Sequence, residues 1–144
     1  MEKQFVTYEI AVALKKLGFD EPCLGYFNIE YNSFNGEHKG KLILGQKPEY
    51  LTCQKKMHYI FGQQICLAPL WQQVKEWFRE KHNTHIEISF IEDEDDYDVK
   101  QNLWYFIIND MINFDIEEDY TYYHSYEEAR EAAIWKAIEL IKET

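Results

Sequence analysis

Cysteine and histidine side chains in the middle of the chain are of the types that bind a transition metal. Cys53, His58 and Cys66, together with Cys23, could supply the thiolate and imidazole ligands that zinc binds in a tetrahedron. Their spacing contains no Cys-x-x-Cys pair, which is the usual unit of a structural zinc site. Buried cysteines acting as small apolar side chains explain the same residues. The sequence therefore predicts no metal and no other cofactor.

A second group of potential ligands lies in the acidic stretch EDEDDYD at residues 92–98. Asp93, Asp95 and Asp98 have the alternating arrangement of acids in a calcium loop, but the turn glycine and the final bidentate glutamate are missing. So many adjacent carboxylates repel one another and lose hydration on burial. We therefore expect a solvated loop here, and not a calcium site or the interior of a strand.

Catalytic signatures are missing from the sequence. It has no Gly-x-Ser-x-Gly, phosphate loop, dinucleotide fingerprint or His-x-x-x-His pair. Paired carboxylates can always be drawn from 26 Asp and Glu residues, so their presence does not indicate acid–base catalysis. His82 and His85 bracket a predicted helix end, where a cationic ring interacts well with the helix dipole. We expect a noncatalytic protein.

Aromatic and acidic residues in the second half of the chain could form a binding surface. Trp135 falls on the polar side of the last predicted helix, near Glu128, Glu131 and Glu139, which suggests contact with a partner or with a second copy of the chain. Tyrosines before that helix combine apolar area with hydroxyl groups, as interfaces do, although tyrosines also commonly cover the edge of a core. The acidic stretches could offer carboxylates to a basic partner. The predicted binding residues are Trp135, Tyr120, Tyr122, Tyr123, Asp93, Asp95 and Asp96.

Charge and composition exclude several classes of partner. The formal net charge of −11 opposes direct binding to nucleic acid or anionic lipid, since both depend on Lys and Arg, and it favours a basic protein partner. No apolar run is long enough to cross a membrane, and Met1–Phe5 lacks the pattern of a secretory signal. We expect a soluble protein of the cytoplasm, with three reduced cysteines.

Three helices are predicted, over residues 7–17, 69–82 and 126–142. Thr7 can cap the first helix and Gly18 can end it. Pro69 suits the first position of the second helix, whose apolar stripe runs from Leu67 to Phe78. The third helix begins with the Ser-x-x-Glu capping box of Ser125 and Glu128, and its inward stripe consists of Ala129, Ala133, Ala137, Leu140 and Ile141, widened by Ile134 and Ile138.

Strands are predicted between these helices. Asn35-Gly36 indicates a tight turn between the segments 25–31 and 41–44. Alternation over 86–90 is typical of a half-buried strand, and the apolar run 103–108 of a strand that is covered on both faces or central to its sheet. Acidic residues at 115–119 interrupt this pattern, and 120–126 can form a last strand. The sequence predicts one α+β domain over 1–144, with a small, largely antiparallel sheet packed against about three helices.

The chain resembles a family of small uncharacterised proteins encoded by tailed phages and prophage-like elements of gut bacteria. The resemblance rests on APLWQQVKEWFREKHN at 68–83, preceded by QFVTYEI at 4–10 with LGFDEPC at 17–23, and followed by YEEAR at 126–130. The layout of helices and strands is also similar to the phage ABA sandwich domain. The resemblance covers nearly the whole chain except residues 28–62. It implies an accessory protein in the bacterial host cytoplasm and supplies no catalytic residues.

Three functions remain open. The first is a noncatalytic phage-type accessory protein that binds a host or phage macromolecule through an acidic and aromatic surface, for example by mimicking nucleic acid. The second is a small-ligand protein that sequesters a nucleotide or metabolite, in which the candidate ligand-binding residues are Arg79, Arg130, Trp104 and Trp135. The third is a component of the virion. A homo-oligomer is compatible with the first two.

Overall fold

A computed structural model describes residues 2–32, 34–44, 59–60, 63–94, 100–112 and 116–143. The chain separates into two compact units, Met1–Val74 and Lys75–Thr144, called here the N-terminal and the C-terminal unit. The α+β class is confirmed, and every described strand pair is antiparallel. The described strands form two sheets, whereas a single sheet was expected from the sequence. The prediction of one domain stays a prediction.

The N-terminal unit contains helix α1 and a four-stranded sheet. After a short 3-10 helix at Glu2–Gln4, α1 spans Tyr8–Lys16. The strands are β1 (Gly25–Asn32), β2 (Glu37–Leu44), β3 (Tyr59–Ile60) and β4 (Gln63–Ala68), in the spatial order β2-β1-β4-β3. The core of this unit includes Ile10 and Leu14 of α1, Phe27 of β1 and Cys66 of β4.

Local signals determine the ends of α1 and the turn between β1 and β2, as predicted. The Ile10 N–H donates to Thr7 Oγ1 at 3.4 Å, which satisfies a backbone donor that the helix leaves unpaired. Gly18 follows α1 with φ of 92°, a conformation that glycine adopts without strain. Gly36 has φ of 70° in the turn that joins β1 and β2. The hairpin has the predicted position and is longer than predicted.

The start of the second helix differs from the prediction. Helix α2 spans Trp71–His82, two residues shorter at its start than the predicted 69–82, and Leu67 lies in β4. The Pro69 carbonyl accepts a hydrogen bond from the Val6 N–H at 3.0 Å, and Leu70 pairs with Phe5 in an isolated bridge. These pairings require extended backbone, so the helix begins only after them. Its apolar side is buried as predicted, at Trp71, Val74, Trp77 and Phe78.

The C-terminal unit contains the rest of α2, a three-stranded sheet and helix α3. Asn83 closes α2 in the predicted left-handed conformation, with φ of 52°. The strands β5 (Thr84–Glu94), β6 (Lys100–Asp110) and β7 (Ile116–Tyr123) follow in spatial order, so the apolar run 103–108 belongs to the central strand. Helix α3 spans Tyr126–Glu143 and packs against all three strands.

Two acidic segments are more regular than the sequence suggested. The prediction of a loop from residue 92 is wrong as far as Glu94, because β5 continues to that residue, and residues 95–99 lie outside the described part of the chain. The register pairs Glu92 with Asn102 and Glu94 with Lys100, so the backbone of this acidic segment is paired with β6 as far as residue 94. Likewise, β7 includes the acidic residues 117–119, which were expected to interrupt the strands.

Helix α3 begins at its predicted cap. The Glu128 N–H donates to Ser125 Oγ at 3.2 Å, and Glu128 Oε2 accepts from the His124 N–H at 3.2 Å. The return bond of the capping box therefore reaches one residue further back than predicted. The small residues Ala129, Ala133 and Ala137 are fully buried with Ile134 and Ile138, so the helix approaches the sheet closely. Leu140 and Ile141 are half-buried.

Candidate functional site: two exposed surfaces of the C-terminal unit

The sheet of the C-terminal unit has two unlike faces. Side chains alternate between faces along a strand, and the register puts Ile86 opposite Ile108 and Ile88 opposite Phe106 on one of them. Ile86, Phe106 and Ile108 are each 2% exposed. Trp104 of the same face contacts Tyr126 at the start of α3, with 5.3 Å between ring centroids. This face is therefore the one that α3 covers.

The opposite face of this sheet carries apolar side chains that are not buried. Tyr105 and Tyr122 meet edge to face there, with 6.4 Å between ring centroids. Tyr122 is 48% exposed and Ile91 is 36% exposed, whereas the side chains of the central strand on this face are half-buried. We call the following group the sheet surface: Ile91, Leu103, Tyr105, Ile107 and Tyr122.

The predicted tyrosine cluster is divided by this arrangement. Tyr122 belongs to the sheet surface, but Tyr123 pairs in register with Trp104 and stacks on Phe106 at 6.2 Å, on the face that α3 covers. Tyr120 lies in β7, and its side chain is outside what the structure describes. Tyr122 therefore lies on the exposed face of the sheet, and Tyr123 lies on the face that α3 covers.

A second exposed surface lies on α3. Trp135 is 38% exposed, as the helical pattern predicted, and Glu128 and Glu139 are exposed one or two turns away. Glu131, one turn before Trp135, is half-buried. We call these four residues the helix surface. Because the alanines of α3 face the sheet, the helix surface and the sheet surface point to opposite sides of the C-terminal unit.

The basic and aromatic residues proposed for a small ligand come together only in part. The Arg130 guanidinium lies 5.5 Å from the centroid of the Tyr126 ring, which in turn contacts Trp104. Burial lowers the pKa of Lys75, and the nearby charge of Arg130 lowers it further. Burial also lowers the pKa of Arg130, while Tyr126, Glu127 and Glu131 oppose that shift. The two cations therefore lie among carboxylates, which weakens their attraction for an anion.

Other candidates of the small-ligand hypothesis lie elsewhere. Arg79 is exposed on α2, and Trp135 is on the outer side of α3. The structure gives neither residue a described contact with the Arg130, Tyr126 and Trp104 group.

The cysteines that the structure describes are buried. Cys23 Sγ donates to the Glu21 carbonyl at 3.3 Å, and Cys66 Sγ donates to the Leu67 carbonyl at 3.7 Å. Cys53 and His58 lie outside the described residues, as do Asp95, Asp96, Asp98 and the side chain of Asp93. Among the residues that are described, no three His, Cys, Asp or Glu side chains are grouped so as to hold a metal ion.

The sequence pattern did not single out most of the sheet surface. Leu103, Tyr105 and Ile107 belong to the run 103–108, which was predicted to be a strand covered on both faces or central to its sheet, and Ile91 follows the predicted strand 86–90. Their signal was present, because a run that is apolar at consecutive positions supplies two apolar faces, and one helix covers only one of them.

Comparison of the chain with protein-family models, with curated proteins and with solved structures finds no match. No helix in the described part of the chain is both long and apolar enough to span a membrane.

Proposed function

We propose that this chain is a noncatalytic accessory protein that works by binding a macromolecule, and that the sheet surface is its main contact. The observation that supports the proposal is the unequal exposure of the C-terminal sheet. On one face α3 covers Ile86, Phe106 and Ile108, and Phe90 of that face is 51% exposed, while the other face keeps two tyrosines and three aliphatic side chains at least partly accessible. Contiguous apolar area of this kind is rare on the surface of a protein without partners, and tyrosine is enriched at interfaces.

The resemblance to phage-encoded proteins would add a setting to this proposal, namely a partner in the bacterial host cytoplasm. In that setting the acidic residues Asp93, Asp95 and Asp96 would contact basic groups of the partner. Charge reversal at these three positions is expected to weaken the complex, most strongly at low salt, because exposed charges act mainly through long-range attraction. A complex that is unchanged by the reversal would remove mimicry of nucleic acid from the proposal.

Site-specific photo-crosslinking tests the proposed function directly. A photoreactive phenylalanine derivative in place of Tyr122 is expected to yield one dominant adduct of defined mass when the full chain is produced in bacterial cells. Phe34 is the matched control, because it is an aromatic residue 99% exposed in the turn between β1 and β2. Equal labelling patterns from the two positions would contradict the proposal, since they would reflect exposure alone.

The same crosslinker at Trp135 compares the two surfaces. A partner that is captured from position 135 and not from position 122 would assign binding to the helix surface. A second candidate function, the sequestration of a small ligand, is favoured only by the contact of Arg130, Tyr126 and Trp104. Native mass spectrometry before and after denaturation tests it, because a retained ligand adds mass to the chain that denaturation removes.

A further inference from the structure

The charges around the sheet surface indicate which chemistry its partner must have. Glu87 is exposed on β5, on the same face as Ile91. On the other edge strand, the register places Glu118 opposite Ile107. The apolar residues of the sheet surface thus have an acidic position beside them on β5 and another on β7.

Cations are missing from this face of the described strands. The positions that share the face on β5 are His85, Glu87, Ser89, Ile91 and Asp93, and those on β6 are Gln101, Leu103, Tyr105, Ile107 and Asn109. On β7 the register and the ring contact add Ile116, Glu118 and Tyr122. No position in these described strands that shares the face is Lys or Arg, although the whole sequence contains 15 such residues.

A second copy of the chain is therefore a poor occupant of the sheet surface. Two copies meeting through this face would bring acidic positions together with no Lys or Arg on the described strands of the face to neutralise them, and Lys75, a cation that interacts with Glu87 there, belongs to α2. The formal net charge of −11 on each chain adds a repulsion that salt can only screen. Face-to-face dimerisation would have to overcome both effects through apolar contact alone.

We propose, resting on the proposed function, that the sheet surface binds a protein segment with apolar side chains at its centre and Lys or Arg on its flanks. The apolar centre of the segment would cover Tyr105, Tyr122 and their aliphatic neighbours, and its cations would approach Glu87 and the acidic positions of the edge strands. Complementary charges of this kind speed association and select among partners, while the buried aromatic contacts supply most of the affinity.

Two synthetic peptides of equal length test this inference with the full chain. Both carry the same stripe of leucine and phenylalanine, one between lysines and arginines and the other between glutamates. A third peptide of lysine and serine has the charge without the apolar stripe. The basic amphipathic peptide is expected to bind best, and its affinity is expected to fall as salt rises, because salt screens attraction between exposed charges.

Variants on and away from the sheet surface locate the binding. Tyr122→Ala is expected to weaken binding of the basic amphipathic peptide about tenfold, as truncation of an aromatic interface residue does. Phe34→Ala removes an aromatic residue that is 99% exposed in the turn between β1 and β2, and it should leave the affinity unchanged. Glu87→Lys should lower the affinity and reduce its dependence on salt. Circular dichroism of each variant confirms that it is folded.

Several results would overturn the inference. Equal binding of the basic and acidic peptides, equal binding of the peptide that lacks the stripe, or full affinity in Tyr122→Ala would each show that the recognition is not the one proposed. Dimers that strengthen as salt rises and dissociate in Tyr122→Ala would make a second copy the occupant. Binding of no peptide would reject the basic segment, while an adduct from position 122 would still support the proposed function.

Discussion

The two units bury their interior strands differently. In β4 of the N-terminal unit, the consecutive residues Ile65, Cys66, Leu67 and Ala68 are all at most 7% exposed. In β6 of the C-terminal unit, Phe106 and Ile108 are 2% exposed, but the residues between and before them are half-buried. Similar apolar runs are therefore buried on both faces in β4 and on one face in β6.

The largest effect is expected from the buried face of the C-terminal sheet. Phe106→Ala should lower the free energy of unfolding by about 3–5 kcal/mol, because it removes a buried ring and leaves a cavity. Tyr105→Ala, one residue earlier on the sheet surface, should cost less, about 1–2 kcal/mol, because its ring is only half-buried and loses its contact with Tyr122. Denaturant unfolding of both variants measures the difference. Similar losses in the two variants would mean that the sheet surface belongs to the core, so the two faces of this sheet would not differ in burial.

In the N-terminal unit, substitutions on both faces of the sheet should be costly. Phe27 pairs in register with Cys66, and Leu67 lies on the other face, paired with Tyr26. Phe27→Ala and Leu67→Ala are each expected to lose about 2–5 kcal/mol of unfolding free energy. The same unfolding experiment applies. A mild effect at Leu67 would show that this sheet too has a face that tolerates truncation.

A smaller loss is expected where α1 approaches the N-terminal sheet. A Cβ added at Gly40 would overlap the ring of Tyr8, which already packs edge to face on Phe27 at 5.6 Å. Gly40→Ala should therefore cost about 1–3 kcal/mol through overpacking. Thermal unfolding of Gly40→Ala, alone and combined with Tyr8→Leu, checks the cause. A double variant no more stable than Gly40→Ala would exclude the ring as the source of strain.

The smallest predicted effects are those of pH, and they differ in sign between the units. Burial lowers the pKa of His82, whose Nε2 is buried without a hydrogen-bond partner in the described part of the chain. As pH falls below about 6.5, His82 of the unfolded chain therefore binds a proton before His82 of the folded chain does. The free energy of unfolding then declines by at most about 1.4 kcal/mol per pH unit. Burial raises the pKa of Tyr8, so stability declines instead as pH rises above about 10.

Hydrogen exchange across pH separates these two effects. Amides of the C-terminal unit should lose protection in mild acid, and His82→Gln should remove that loss, whereas the exposed His85→Gln should not. Amides of the N-terminal unit should lose protection in alkali, less so in Tyr8→Phe. If both units of the His82→Gln variant lost amide protection alike in mild acid, His82 would not be the cause of the loss in the C-terminal unit.

Features set by neighbours in sequence were predictable. The caps at Thr7 and Ser125, the left-handed Asn83 and the turn at Gly36 depend on hydrogen bonds or backbone preferences within a few residues. The buried stripe of α3 follows from the helical period, which also identified Trp135 as exposed. These elements were confirmed because no distant partner is needed to specify them.

Features set by distant pairing were not predictable from local patterns. β4 has no alternation, since its residues 65–68 are buried on both faces, and Leu67 was predicted to belong to the apolar stripe of the second helix. The acidic residues 92–94 of β5 and 117–119 of β7 lie in strands because their backbones pair with β6, which lies between the two strands. Division of the strands into two sheets likewise depends on long-range pairing. The sheet surface was missed for the same reason, because its exposure depends on which face α3 covers.

The irregular pairing of β7 has a consequence for how this sheet tolerates changes in length. Phe106 pairs with Asp119 and Trp104 with Tyr123, so a single residue of β6 is matched by the three residues 120–122 of β7. The excess is an even number, so inward and outward positions stay in phase on both sides of the irregularity. Loss of one residue from 120–122 would reverse that parity and turn either Tyr122 or Tyr123 to the wrong side, whereas loss of two would preserve it.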